Sequence, residues 1–182
     1  MNKRFSLVLI LASVAVLTAA CQVSVTIDTP PIKEAEDFFI DSNNNGIFED
    51  DEYYATYAVY SADAPLQVSW ETFVLEDVSP NELSYLVILY QLPFTQTEGD
   101  PFEEAVPIKV AHHWAEAGTT FTFDSIGFGD QACFGCPTYV LIAPEIVTQV
   151  YDEASDTYVY EYELIEDAIV QVSPEFLLET SR

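Results

Sequence analysis

The sequence predicts an all-β protein: a single β-sandwich, Ig-like or similar, with one long hairpin loop. Three observations lead there. Short runs rich in Val, Ile, Thr, Tyr and Phe recur along the chain, broken by Pro, Gly, Asn and Asp. A period of two is clear in Val106, Ile108, Val110, His112 and Trp114, and again in Tyr158, Tyr160 and Tyr162 against Val159, Glu161 and Glu163. No segment has a convincing helical period, and many strands without intervening helices suit two packed sheets. A length of 182 residues allows one domain with a sizeable core. A hydrophobic content of 49% excludes a disordered chain despite the formal net charge of −26.

In chain order, residues 1–4 form a positive start and residues 5–20 carry no charge. That apolar run is shorter than the roughly 20 residues a spanning helix needs, so 1–20 reads as an export signal. Residues 21–31 are polar and β-branched and end in Pro30 and Pro31, which suits a tether or a first edge strand; residues 32–182 are assigned to the sandwich. Strands are expected near 36–40, 53–60, 66–75, 83–92, 106–114, 119–124, 138–150, 157–165 and 168–172. The apolar run 83–92 fits a buried strand or a buried helix by length, and its Tyr, Val and Ile content favours a central strand. Residues 152–156 read as a hairpin connection, and 173–182 as a short terminal segment. The prolines at 65, 80, 93, 101, 107, 137, 144 and 174 are expected mostly at strand ends, where a missing N–H does least harm.

One motif is specific. Residues 41–52 read Asp-Ser-Asn-Asn-Asn-Gly-Ile-Phe-Glu-Asp-Asp-Glu and fit D-x-[DN]-x-[DN]-G-x5-E at every specified position. Asp41, Asn43 and Asn45 can turn side-chain oxygens inward from alternate positions, while Gly46 permits a sharp turn and Ile47 offers its carbonyl. Glu49 can coordinate directly or through water, and Glu52 closes the site with two oxygens. An all-oxygen, high-coordination set selects Ca²⁺ over Mg²⁺. An Asn-rich hairpin turn is the simpler alternative, since Asn45-Gly46 alone is a turn signal. The flanks look like strands rather than helices, so the segment resembles the strand–loop–strand calcium sites of β-rich bacterial surface proteins, including B-repeats of Gram-positive adhesins. That resemblance covers about twenty residues and implies a structural ion that rigidifies a hairpin.

Residues 17–21 read Leu-Thr-Ala-Ala-Cys. Small residues just before a cysteine resemble the lipobox of bacterial lipoproteins, with Thr18 where that motif more often has Leu. The resemblance implies acylation of Cys21, removal of residues 1–20, and a membrane partner reached through the acyl chains. Gln22 after the cysteine implies the outer membrane if the cell has two. An ordinary signal cleaved near Cys21 is the alternative. Processing leaves three basic residues against 31 acids, a net charge of −28.

Acylating Cys21 leaves Cys133 and Cys136 as a pair, expected as a disulfide pinning a loop in an oxidising compartment. A catalytic dithiol is the alternative, but that motif should open a helix, and residues 137–142 look like strand. His112 shares the face of Trp114 and is expected in the core, with His113 exposed or paired with an acid. Adjacent strand residues point to opposite faces, so the two cannot easily reach one metal. The acidic excess excludes nucleic-acid binding, which rests on Lys and Arg clusters this chain lacks. No G-x-S-x-G, H-E-x-x-H or phosphate-binding glycine loop is present. The expectation is a non-enzymatic envelope module for recognition, adhesion or assembly, with a protein or carbohydrate ligand; a carboxylate hydrolase or a CxxC redox lipoprotein are the alternatives. Tyrosines 53, 54, 57 and 60, and 158, 160 and 162, could form a binding face or fill the core, the core being favoured.

Overall fold

The computed structural model describes residues 24–41, 49, 52–75, 78–94, 104–124, 126, 135–165 and 168–180. They form β1 (Val25–Ile27), β2 (Lys33–Phe39), β3 (Tyr54–Ser61), β4 (Leu66–Trp70), β5 (Leu83–Gln91), β6 (Val106–Trp114), β7 (Thr120–Phe123), β8 (Thr138–Asp152), β9 (Thr157–Leu164), β10 (Gln171–Val172) and β11 (Phe176–Glu179). The small sheet has the order β1-β4-β7. The large one runs β2-β3-β11-β8-β5-β6, with β9 and β10 also pairing with β8. Neighbours are antiparallel except β11 beside β3, which is parallel. The expected two-sheet sandwich is the observed one.

Burial explains the arrangement. All nine residues of β5 are buried, so both of its faces need cover. Leu83, Tyr85, Val87 and Leu89 turn inward against Leu66, Val68 and Trp70 of β4, Phe123 of β7 and Val25 of β1. Val140 and Ile142 of β8 and Phe176 and Leu178 of β11 complete that core. On the outer face, Leu86, Ile88 and Tyr90 pack with Leu141 and Ala143, with Tyr139, Leu164, Val170 and Val172 partly buried against them. The run 83–92 is therefore the central strand its composition favoured.

Several strand limits differ from the sequence reading. Strand 66–75 stops at Trp70, because the Gln171 side chain replaces the ladder there. Its Oε1 accepts from Glu71 N–H at 3.0 Å and its Nε2 donates to Glu71 O at 2.7 Å, and Val74 beyond is 94% exposed. Strand 168–172 shrinks to Gln171–Val172, whereas the short terminal segment contains β11, with Leu178 only 1% exposed. Pro174 and the shortness of the apolar run disguised that strand. Residues 25–27, read as part of a tether or a first edge strand, form an edge strand beside β4. Pro144 lies inside β8 rather than at an end. It is tolerated because β10 stops opposite Ile142 and β9 starts opposite Glu145, so no ladder donor is needed between them. Its carbonyl still accepts from Ile165 N–H at 3.2 Å.

Ile142 is fully buried between the sheets, so Ile142→Ala should destabilise the fold by about 2–5 kcal/mol in chemical denaturation. Ile169→Ala, at a site 73% exposed, should stay within about 0.5 kcal/mol. Equal effects would place the core elsewhere.

Candidate functional site

The twelve-residue motif occupies the connection between β2 and β3. Phe39 pairs with Tyr54, and Ile40 N–H donates to Tyr53 O at 3.0 Å, closing the neck of the loop. Asp41, Glu49 and Glu52 are described, whereas Asn43, Asn45 and Ile47 lie outside the described residues. Glu49 and Glu52 are tied in one turn: Glu52 N–H donates to Glu49 O at 3.0 Å and Glu49 N–H to Glu52 Oε2 at 3.2 Å. The neck is braced by aromatic contacts. Phe38 meets Tyr53, Tyr57 and Phe94 edge to face, at centroid distances of 6.2, 5.7 and 5.3 Å. Tyr53 and Tyr57 hydroxyls are 2.6 Å apart, and Tyr57 O–H donates to Glu175 at 2.9 Å, linking the loop to the segment before β11. Burial and these oxygens hold the Tyr57 hydroxyl well above the usual phenol range. Among the described residues, no three His, Cys, Asp or Glu side chains gather as a metal-binding group.

Cys21 and Cys133 also lie outside the described residues; Cys136 is 2% exposed. Thr138, two residues on, opens β8. A strand rather than a helix therefore follows the CxxC, and the sulfur lacks the helix N-terminus that activates a thioredoxin-type cysteine.

The histidines exchange the expected roles. His112 is on the outer face, 40% exposed in its side chain, and its Nδ1 lies 2.6 Å from Oε1 of Glu145, which is 2% exposed. His113 faces the other way, edge-on to Trp70 at 5.6 Å and Phe121 at 5.7 Å. A bulge opposite Leu89/Tyr90 shifts the alternation of β6, so Ile108 joins the inner core while Val110, His112 and Trp114 face outward. That bulge has no signature in the sequence beyond Pro107.

The tyrosines divide into two sets. Tyr57 and Tyr60 are buried, as the core reading favours, and Tyr53 is half-buried, but Tyr54 is 48% exposed and Tyr158, Tyr160 and Tyr162 are 66%, 53% and 37% exposed. The last three line one face of β9 as a row of rings joined by others. Tyr151 sits against Tyr158 at 5.3 Å, Trp114 against Tyr160 at 5.5 Å, and His112 stacks on Tyr162 at 3.9 Å. The last two contacts reach from β6 to β9 across the outer face of β5 and β8. Sequence alternation marked the row; only the fold decides that it is exposed. The fold and this face define a two-sheet β-sandwich with an aromatic outer surface. No protein-family model, curated protein or solved structure matches the chain. Among the described residues, no helix is long and apolar enough to cross a membrane.

Tyr139 behaves differently from the exposed row. It stacks on Tyr90 at 5.4 Å, and burial, aided by the nearby Tyr90 and Glu175 oxygens, pushes its hydroxyl up to about 12. The folded state thus keeps this proton when an unfolded tyrosine, near 10, releases it. Its contribution to stability is intact below pH 10 and is lost as pH rises toward 12. Denaturation midpoints should fall across that window, and Tyr139→Phe should flatten the decline; an unchanged slope in the variant would refute the assignment.

Proposed function

We propose that this chain is a non-enzymatic recognition module of the cell envelope, tethered by acyl chains on Cys21 and stiffened by one structural Ca²⁺ in the loop 41–52. The observation that carries the recognition reading is the exposed row Tyr151, Tyr158, Tyr160 and Tyr162, extended by Trp114 and His112. A large exposed aromatic surface is unfavourable on an isolated soluble domain and is characteristic of contact with a ligand. Rigid rings offer contact area at low entropic cost, and their hydroxyls add hydrogen bonds for a protein or carbohydrate.

The metal reading is supported by a complete template and by the hairpin neck that pins both ends of the loop. Asp41, Asn43, Asn45, the Ile47 carbonyl, Glu49 and Glu52 would hold the ion, which would offset the acids at 49–52. A Cys133–Cys136 disulfide would pin the loop entering β8. It is supported by the burial of Cys136 and by the export signal in the sequence.

Two measurements test these readings. On a panel of neutral oligosaccharides and synthetic peptides, at least one class should bind, and Tyr158→Ala with Tyr160→Ala should weaken it about tenfold or more. Binding unchanged by the double variant, or none across the panel, would remove the recognition reading. Titration calorimetry of EDTA-stripped protein should detect Ca²⁺ at a Kd of about 10⁻⁴–10⁻³ M, weakened by Glu52→Gln. At calcium about tenfold above Kd, stability should rise by about 1.4 kcal/mol. No heat and no shift in Tm would sink the metal site.

A further inference from the structure

We propose that the open edge of β9 is a strand-addition site for an extended basic segment of a partner protein, whose residues alternate between apolar and Lys or Arg. This rests on the recognition reading and names the partner's chemistry.

The outermost strands of both sheets are defended, whereas two stretches are open among the described residues: the side of β8 beyond Ile146 that β5 no longer borders, and β9. β1 and β7 are only 3 and 4 residues long. β2 has a register shift between Lys33 and Glu36, and Lys33 bridges Glu36 and Glu179. β6 contains Pro107, Lys109 and a bulge. These are the usual devices that stop stray strands from docking. β9 has none of them: it is 8 residues long, in unbroken register with β8, without Pro or Lys, and among the described residues it pairs with β8 alone. Seven of its eight residues are exposed.

The polarity of its backbone follows from one hydrogen bond. Ile165 N–H donates to Pro144 O, in register with Leu164 opposite Glu145. By the period of two, residues 157, 159, 161 and 163 turn their amides to β8, and Tyr158, Tyr160 and Tyr162 turn theirs to the open edge. An added strand would bond there. Its residues would then fall alternately on the aromatic face, beside Tyr158, Tyr160 and Tyr162, and on the opposite face, beside Val159, Glu161 and Glu163.

Charge selects the occupant. From residue 145 to 180 the chain has no Lys or Arg, and the hairpin around β9 carries Asp152, Glu153, Asp156, Glu161 and Glu163. A cationic side chain gains from the glutamate face and, on the other, from the tyrosine rings. A second copy of this chain is disfavoured, since antiparallel self-pairing sets these glutamates against each other. The edge is also preorganised. The His112–Tyr162 and Trp114–Tyr160 contacts hold β9 to β6, and the Tyr151 hydroxyl bonds Asp156 in the turn, so little order remains to be imposed on binding.

The test uses the full chain and a fluorescent eight-residue peptide, matched to β9 in length, alternating Lys with Val and Tyr. Anisotropy should show saturable binding, weaker by about tenfold for a peptide of the same composition with its lysines in one block. Two N-methylated peptides discriminate the mode. Methyl groups on the amides of one parity should leave affinity intact, and on the other parity should abolish it. Glu161→Gln with Glu163→Gln should weaken binding about tenfold and flatten its salt dependence. Amide exchange should slow at Tyr158, Tyr160 and Tyr162 when peptide is bound. Equal binding of both methylated peptides, or of the block peptide, would overturn strand addition. Failure of every peptide, with cellohexaose bound in a manner sensitive to Tyr160→Ala, would overturn it while leaving the recognition reading standing.

Discussion

The structure depends on the burial of β5 on both faces. A run such as Leu-Ser-Tyr-Leu-Val-Ile-Leu-Tyr-Gln cannot border water on either side, so it must lie inside a sheet and under a second layer. β8 satisfies the first demand with a nine-residue register from Leu83 opposite Ile146 to Gln91 opposite Thr138. β4 and β7 satisfy the second by laying Leu66, Val68, Trp70 and Phe123 across it. The remaining elements attach to this pair. β11 extends the sheet from β8 to β3, and β3 carries the hairpin whose loop holds the calcium motif. The Glu175 contact of Tyr57 then fixes that hairpin to the entry of β11, so loop and core share one scaffold.

The same pairing explains why an exposed aromatic face exists. β8 has 15 residues, and β5 accompanies it only as far as Ile146. The rest of β8 has β9 as its partner, and the two form a largely exposed ribbon beyond Val147. Such a two-stranded ribbon is marginal alone. Here the rings of His112 and Trp114 brace it, and His112 also covers the buried carboxylate of Glu145. Support of the ribbon and satisfaction of a buried acid are thus one contact. Loss of the imidazole would leave a carboxylate at 2% exposure without that partner, a costly state.

Much of the fold is legible in the sequence because its signals are local. Alternation at 158–163, the apolar run at 83–92 and the polar hairpin connection at 152–156 each depend on a few adjacent residues. What escaped is set by distant partners. β11 is short and follows Pro174; it is a strand because Ala58–Ser61 and Thr138 receive it. β4 ends where Gln171, one hundred residues away, supplies the bonds. The inversion of His112 and His113 stems from a bulge whose cause is the register with β5. Of the candidate sites, the proposed calcium loop is a reading from sequence, possible because its twelve residues are consecutive. The aromatic face is only half readable: period two sorts rings to one side and acids to the other, but exposure is decided by where β5 ends.

The net charge has a place in the architecture. Thirty-one acids against five basic residues impose a repulsion that the fold must distribute. Along β9 it does so by alternation: Glu161 and Glu163 take one face while the tyrosines keep the other free of exposed carboxylates. A shift of one residue in the β8–β9 register would turn Glu161 and Glu163 onto the face of His112 and Trp114 and the tyrosines away from it. Register is held where burial is greatest, at Leu164 opposite Glu145, and is carried outward unbroken to Thr157 opposite Asp152. The chemistry of the exposed ribbon is therefore set from its buried end, by Glu145 beneath His112 and the strand that Pro144 interrupts without breaking.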